Sequence, residues 1–344
     1  MSLFSRSTTR TAIWNRIPSW WQGRTATYPT LGGYATMAGY CREVRAERHG
    51  AVILLDNGDT FHGTHPVVQS KGEAILPLLD ALGFDAMTGH WDFAYGPAHL
   101  KFLVSRPSCP MLAINCYAND TGELTFPPTQ VVERGGLRVG IIGIAATIVD
   151  KTMPPHFGAG VRLTLGNEEL PGHTRRLRED EDVDLVVVLS HLGFPQDEKL
   201  AGEVKGIDVL LSGYTHNRLY KPVWVNGTPI IQSGCHGAFI GRLAISVAQG
   251  RVDVTHHALV PMDGTITPDA AMQALVDGAL STHRAELEHR VGQTDIALNR
   301  NTMLEENIEH TFAADPYAQM GGLFEALLGH HCPCQAREPH WHPH

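Results

Sequence analysis

The stretch "AVILLDNGD", residues 51–59, joins a short apolar run to a polar turn. A continuous apolar run of this length is typical of a strand buried on both faces. It ends at Asp56, and Asn57, Gly58 and Asp59 then form a tight turn. A helical pattern lies on each side of it, "GGYATMAGYCREVRAERHG" before and "KGEAILPLLDALG" after. A strand between two helices predicts a layered α/β fold.

The alternation of strands and helices continues along the chain. Further strands are predicted over "FDAMT", "MLAIN", "LRVGIIGIA", "DLVVVLS", "IDVLLS" and "PIIQSG". Helices are predicted over "NEELPGHTRRLREDED" and "PQDEKLAGEVKG", and a long helix over "PDAAMQALVDGALSTHRAELEHRVG". A late hairpin is expected in "RLAISVAQGRVDVTHH", turning at Gln249-Gly250. In such folds the functional site lies at the carboxyl ends of the strands.

Composition excludes several classes of function. The 344 residues carry a formal net charge of -9, which argues against binding to nucleic acid polymers, because those need clustered Lys and Arg. No apolar run approaches the ~18 to 20 residues that span a membrane. The six cysteines have no regular spacing, so no disulfide framework can be deduced from them.

Metal-competent side chains follow four of the predicted strands. Asp59 follows the first, His90 the second and His191 the third, while Tyr214 and His216 follow the fourth. A single histidine at a strand end is more often a structural polar group than a ligand, but the ordered set favours a shared cation site. Carboxylate and imidazole ligands suit Zn, Mn or Fe, and a carboxylate can bridge two such ions.

Four motifs occur in a fixed order: "LLDNGDTFHG", "TGHWDFAYGP", "LSHLG" and "SGYTH". Together they resemble the calcineurin-like metallophosphoesterases, and more closely their 5′-nucleotidase branch. The resemblance covers roughly residues 31 to 262. It implies a four-layer α/β/β/α sandwich and a hydrolase with two divalent ions, Mn or Zn.

The resemblance assigns roles to individual residues. Asp59 matches the aspartate that bridges the two ions. His191 matches a ligand of the second ion, and His216 matches a ligand of the first. His90 stands where the branch has a ligand asparagine, and an imidazole can still bind the second ion.

Three residues depart from the nucleotidase pattern. Trp91 replaces the histidine that assists catalysis, and Ala94 replaces the aspartate that orients it. Tryptophan offers only an N–H donor and cannot act as a general acid. Tyr214 replaces a further histidine ligand of the second ion. The Gly-His-Trp-acid-Phe pattern is similar to the thiosulfohydrolases of sulfur oxidation, which release sulfate from a protein-bound sulfur conjugate.

The family's opening motif, a strand ending in Asp-x-His, is absent because no Asp precedes Asp56. With Asp59 and His216 alone, the first ion would have too few ligands. Three explanations stay open: a truncated or mis-started chain, a single bound ion, or a degenerate homologue. The substrate-binding domain of full-length nucleotidases is also missing from this chain.

Four segments are predicted. They are an N-terminal extension over 1–30, a metallophosphoesterase-like catalytic domain over 31–262, a connector helix and linker over 263–320, and a disordered His/Cys/Pro-rich tail over 321–344. The extension has no acidic residue and no secretory apolar core, so a solvated extension is favoured over a targeting leader. Relatives are often periplasmic, but without an export signal the default location is cytoplasmic. A soft-metal site in the tail is the less favoured alternative to disorder.

The sequence therefore predicts a metal-dependent hydrolase of phosphoesters or related oxyanion esters that uses metal-activated water. The alternatives are a thiosulfohydrolase-like enzyme and a non-catalytic metal-binding homologue. The partner would be a small-molecule phosphoester or a sulfur-conjugated carrier protein. The predicted metal ligands are Asp59, His90, His191 and His216. The substrate-pocket candidates are Asn57, Trp91, Asn115, Tyr214 and His236.

Overall fold

The structure is a computed structural model of the chain. It describes residues 30–106, 109–248 and 250–290, together with the backbone of four short strands earlier in the chain. The chain divides into two units, residues 1–281 and 282–344. The predicted tail over 321–344, and most of the predicted linker before it, lie outside the described residues.

Strands and helices alternate through the first unit. The strands are β1 (Ser2–Arg6), β2 (Ile17–Pro18), β3 (Trp21–Gln22), β4 (Ala26–Thr27), β5 (Thr30–Leu31), β6 (Val52–Asp56), β7 (Ala86–Met87), β8 (Cys116–Ala118), β9 (Thr129–Arg134), β10 (Leu137–Ile144), β11 (Val161–Leu163), β12 (Leu185–Ser190), β13 (Val209–Ser212), β14 (Val223–Val225), β15 (Thr228–Gln232), β16 (Phe239–Ala248) and β17 (Arg251–Pro261). The helices are α1 (Tyr34–Arg48), α2 (His65–Gln69), α3 (Leu76–Leu82), α4 (Pro97–Val104), α5 (Leu170–Glu179), α6 (Phe194–Glu203), α7 (Ala270–Leu280) and, in the second unit, α8 (Arg284–Leu287). Short 3-10 turns cover Glu73–Ile75 and Trp91–Tyr95.

Two mixed sheets form the centre of the first unit. The first sheet has the order β17-β16-β1-β6-β7, and the second has the order β14-β15-β13-β12-β10-β9. Strands β1, β6 and β7 run parallel to one another, and so do β10, β12, β13 and β15. The carboxyl ends of each parallel group therefore lie at one edge of its sheet.

Side-chain alternation along the strands builds the four layers. In β6, Ile53 and Leu55 join the core between the sheets, whereas Val52 and Leu54 face the outer core with α1 and α3. In the second sheet, Ile141 joins the same central core, and its neighbour Ile142 faces the outer core with α5 and α6. Successive residues of a strand point to opposite faces of the sheet and every second residue to the same face, so each sheet is buried on both sides. The predicted α/β/β/α sandwich is confirmed.

Strand β1 occupies the centre of the first sheet, between β16 and β6, with Arg6 beside Asp56 in the register. The segment predicted as a separate extension thus supplies a strand to the main sheet. That strand, Ser2–Arg6, contains neither Asp nor His, so it does not restore the Asp-x-His motif.

The prediction of a strand over "MLAIN" was wrong. Met111 forms an isolated bridge with Met87, and the other residues of the segment belong to no strand. The backbone of this segment divides its hydrogen bonds between both sheets: the Leu112 N–H donates to Met87 O at 2.8 Å and the Ile114 N–H donates to Gly143 O at 2.9 Å. The helix predicted after residue 267 was too long, because α7 ends at Leu280 and a separate helix, α8, begins at Arg284. No described helix has the length and apolar character that a membrane crossing requires.

Candidate metal centre

The first candidate ligand sits on a constrained turn after β6. Asp59 has a φ of 63°, in the left-handed region that non-glycine residues rarely adopt, and Gly58 before it has a φ of 99°. A Cβ at Gly58 would lie 2.7 Å from the carbonyl oxygen of Thr88. The turn therefore packs directly against the end of β7, which brings Asp59 beside the loop that carries His90.

A buried carboxylate that the sequence did not single out holds these two loops together. Asp92 accepts hydrogen bonds from the backbone N–H groups of Asp59 at 2.8 Å, Thr60 at 2.8 Å, Phe61 at 2.9 Å and His90 at 3.0 Å. Its side chain is fully buried. In the sequence, Asp92 is visible as an acidic residue two positions after His90 in the second motif. The motif does not indicate that this residue holds the two loops together.

Asp59, His90 and His191 form one compact buried cluster. Asp59 Oδ1 lies 3.3 Å from His90 Nδ1, and Asp59 Oδ2 lies 3.5 Å from His191 Nε2. One ligand atom from each residue lies within 4.8 Å of those of the other two. His191 is oriented by its Nδ1, which is 2.5 Å from the carbonyl oxygen of Asn57. Asp59 Oδ1 also accepts a hydrogen bond from the backbone N–H of Trp91 at 2.8 Å.

Asp59 and the histidines of the cluster stabilise one another's charged forms. Burial alone would raise the pKa of Asp59, but His191 and His90 outweigh this effect and hold the pKa below its usual value. Burial alone would lower the pKa of His191, but Asp59 and the Asn57 carbonyl raise it above its usual value. The aspartate is therefore ionised and available to a cation across the ordinary pH range.

The donor set fits a divalent cation. Among the described residues, Asp59 Oδ2, both ring nitrogens of His90 and His191 Nε2 are buried without a hydrogen-bond partner. A buried polar atom without a partner costs about 1 to 3 kcal/mol. An ion held by one carboxylate oxygen and one nitrogen from each imidazole would satisfy Asp59 Oδ2, His191 Nε2 and one of the two His90 nitrogens, and such ligands suit Zn, Mn or Fe.

His216 does not join this cluster. Tyr214 and His216 lie on the loop after β13 with φ values of 69° and 61°. The Tyr214 ring meets the rings of His90 and His191 edge-on, with centroids 5.3 Å and 5.9 Å away. The His216 ring instead lies 6.2 Å from that of His236, which also has a positive φ of 58°.

The other pocket candidates divide into two groups. The amide of Asn57 donates to the carbonyls of Ser190 and Leu211, and Asn115 exchanges hydrogen bonds with the backbone of Ala145. Both side chains are fully buried, so they brace the strand ends. Trp91 and His236, in contrast, are only partly buried. The Trp91 ring lies 6.0 Å from that of His90, whereas the His236 ring lies beside that of His216.

Aromatic rings surround Trp91. The His62 ring stacks on it at a centroid distance of 5.1 Å and an angle of 24°, and Phe157 meets it edge-on at 5.6 Å. His62 and Phe157 had no distinguishing sequence signal, because they come from loops far apart in the chain. Together with Trp91 they form an aromatic wall next to His90.

The two sheets, whose strand ends share a buried Asp-His-His cluster, agree with the fold that the sequence motifs predict. No family model matches the chain. It is 29% identical over 300 residues to a snake venom 5′-nucleotidase from Gloydius brevicauda, covering 79% of this chain and 50% of that protein. The chain thus spans about half the length of this relative.

Two solved structures have a similar fold. The sulfate thiohydrolase SoxB of Thermus thermophilus superposes with a TM-score of 0.72 at 25% identity, covering 76% of this chain and 48% of that one. A 5′-nucleotidase precursor, also from Thermus thermophilus, has the same fold, with a TM-score of 0.75 at 22% identity over 85% of this chain and 61% of that one. In sequence the chain is similar to 5′-nucleotidases, and its fold is similar to those of a 5′-nucleotidase precursor and a sulfate thiohydrolase.

Proposed function

We propose that this chain is the catalytic domain of a metal-dependent hydrolase that cleaves phosphoesters or related oxyanion esters. The buried cluster of Asp59, His90 and His191 carries the proposal, because it places a carboxylate and two imidazoles around one point. Its relatives include 5′-nucleotidases, which are hydrolases of this kind. The predicted domain over 31–262 would contain the whole cluster.

Each residue would have a defined task. Asp59, His90 and His191 would hold a divalent ion, and His216 would serve a second one. A bound ion would polarise the ester and supply a nucleophilic water near neutral pH. Asp92 would keep Asp59 and His90 together through its backbone hydrogen bonds. Trp91 would line the pocket, since its ring cannot deliver a proton.

The first experiment measures metal content and turnover together. The purified protein is loaded with Mn²⁺ or Zn²⁺, desalted, analysed for bound metal and assayed with phosphomonoester and phosphodiester substrates. We expect the wild-type chain to retain the ion and to show hydrolysis that chelation abolishes. Asp59→Ala should lose both, and Asp120→Ala, which removes an exposed carboxylate, should keep both.

The outcomes separate the alternatives. A chain that retains no ion at micromolar concentrations and hydrolyses nothing would refute the proposal. A chain that holds an ion through Asp59 yet turns over no substrate would be the non-catalytic metal-binding homologue.

A thiosulfohydrolase-like activity is the second candidate. It is favoured by Trp91 in the Gly-His-Trp motif and by the match to a sulfate thiohydrolase. The test substrate is a peptide with an S-sulfonated cysteine, whose hydrolysis by one water yields a thiol, sulfate and a proton. Sulfate release that depends on Asp59, without release of phosphate from phosphoesters, would select this candidate over the first.

A further inference from the structure

The loop over 213–217 carries two candidate site residues in an unfavourable backbone conformation. Both Tyr214 and His216 have positive φ values, which cluster at functional sites and persist only where the surroundings enforce them. The sequence of the loop, with a single glycine at 213, does not itself favour two left-handed residues. Some other part of the structure must therefore hold this loop in place.

Gln232, at the end of β15, makes the contacts that do so. Its Nε2 donates to Ser212 Oγ at 3.0 Å and to the carbonyl oxygen of Gly213. Its Oε1 accepts the backbone N–H of Asn217 at 2.5 Å and the hydroxyl of Thr215 at 3.3 Å. One buried amide thus contacts the beginning, the middle and the end of the loop.

The same contacts connect the loop to the segment after His191. Thr215 Oγ1 accepts the backbone N–H of Phe194 at 3.0 Å, and Phe194 begins α6 three residues after His191. A methionine at 232 could fill the space, but its thioether sulfur is only a weak acceptor and could not donate to either end of the loop. The chemistry of an amide is therefore needed at this position.

We propose that Gln232 is a positioning residue that holds the loop over 213–217, and so fixes Tyr214 beside the metal cluster and His216 beside His236, where it would serve the second ion. The effect on ion binding rests on the proposed function, whereas the effect on the loop does not. Residues that orient metal ligands typically change metal affinity by roughly 10–100-fold when they are replaced.

The first test is hydrogen exchange in the metal-free protein. Gln232→Met removes the amide with little change in volume. We expect the Asn217 amide and its loop neighbours to exchange faster, while β13 and β15 stay protected. The matched control is Thr228→Val, at the other end of β15, which removes a buried hydrogen bond to Ile207 O at 2.8 Å. The control should leave exchange in the loop unchanged.

The second test is a double-mutant cycle on Co²⁺ binding, followed by the visible absorption of the bound ion. Gln232→Met should weaken binding by roughly 10–100-fold and change the spectrum. In a His216→Ala background it should weaken binding no further, because both changes act through the same ligand. A residue with only a structural role would give additive effects.

The outcomes distinguish the two proposals. If Gln232→Met leaves exchange in the loop unchanged, the positioning role is refuted whether or not the chain binds metal. If exchange increases but the wild-type chain binds no Co²⁺, Gln232 positions the loop and the proposed metal-dependent function fails. If exchange increases and the effects of the two substitutions on Co²⁺ affinity are additive, the link through His216 is refuted.

Discussion

Asp92 illustrates how one side chain can organise a site without belonging to its ligand set. Four backbone N–H groups, two of them from residues in the metal cluster, converge on its buried carboxylate. Hydrogen bonds to a charged group contribute about 1.5 to 3 kcal/mol each, roughly twice the value for neutral pairs. The carboxylate also places negative charge next to the two candidate ligands.

We expect Asp92→Asn to lower the free energy of unfolding by about 3 kcal/mol. The asparagine has one acceptor oxygen, and its NH2 group would face backbone donors that need an acceptor. Urea denaturation of the metal-free proteins measures this loss, with Asp120→Ala as an exposed control. A loss below about 1 kcal/mol would show that other groups satisfy these donors.

Asp197 should make the stability depend on pH. This carboxyl lies in the first turn of α6, where Ser190 Oγ donates to it at 2.6 Å. Burial raises its pKa to about 7, although Ser190, Ser212 and His191 partly oppose the shift. Because the folded pKa exceeds the unfolded value, folding favours the protonated form. The associated stability is complete below about pH 4 and is lost as the pH rises to about 7.

We therefore expect Asp197→Asn to become progressively more stable than the wild-type protein between about pH 4 and pH 7. The difference above pH 7 is at most ~4 kcal/mol, from a shift of roughly three pKa units at about 1.36 kcal/mol each. Denaturation of both proteins across this range, with metal removed by a chelator, gives the comparison. A difference that does not vary with pH would contradict the assignment.

At the residue scale, the sequence predicted which side chains belong to the candidate metal site better than it predicted their hydrogen-bond partners. Asp59, His90 and His191 were predicted from their places after strands, and the structure brings them together. Asn115 was also predicted from its place, but its amide is occupied by the backbone of Ala145. Asp92 and Gln232 were missed because their roles depend on backbone groups that only tertiary folding brings near them.

At the scale of elements, the packing of α7 on α1 depends on a glycine. Gly39 lies in the interior of α1, where glycine is about 1 kcal/mol less favourable than alanine. A Cβ at this position would lie 2.0 Å from the carbonyl oxygen of Thr267, just before α7. Close approach of the backbone therefore outweighs helix propensity.

We expect Gly39→Ala to destabilise the protein by roughly 1 to 3 kcal/mol, because α7 must shift away from α1. Gly278→Ala is the matched control, since Gly278 lies in α7 and no atom outside its own helix lies within 4 Å of the Cβ that alanine would add. There we expect a gain of about 0.5 to 1 kcal/mol from helix propensity. Thermal unfolding of the two variants measures both effects, and two shifts of the same sign would contradict this account.

Most elements were predictable, because their patterns are local. Helix α1 begins after Gly33 and ends near Gly50 as expected, and the strand over residues 185–190 is apolar on both faces as expected. The segment "MLAIN" is equally apolar, but its hydrogen bonds alternate between two sheets and form no ladder. That outcome depends on where both sheets lie, which no local pattern contains.

At the scale of the molecule, strand order could not be predicted. The alternation of elements favoured a layered fold, but it did not place β1 between β6 and β16 or separate the strands into two sheets. The important consequence is that the metal cluster spans both sheets. Asp59 and His90 follow strands of the first sheet, while His191 follows a strand of the second. An ion bound there would connect the two halves of the sandwich.

Bound metal should therefore stabilise the whole fold. An ion that binds only the folded state at a concentration 100 times its dissociation constant adds about 2.7 kcal/mol. We expect Mn²⁺ or Co²⁺ to raise the melting temperature of the wild-type protein by several degrees, and a chelator to reverse the rise. Asp59→Ala and His90→Ala should abolish the shift, because each removes a ligand from the first sheet, whereas Asp120→Ala should keep it. An equal rise in Asp59→Ala would place the stabilising ion elsewhere in the chain.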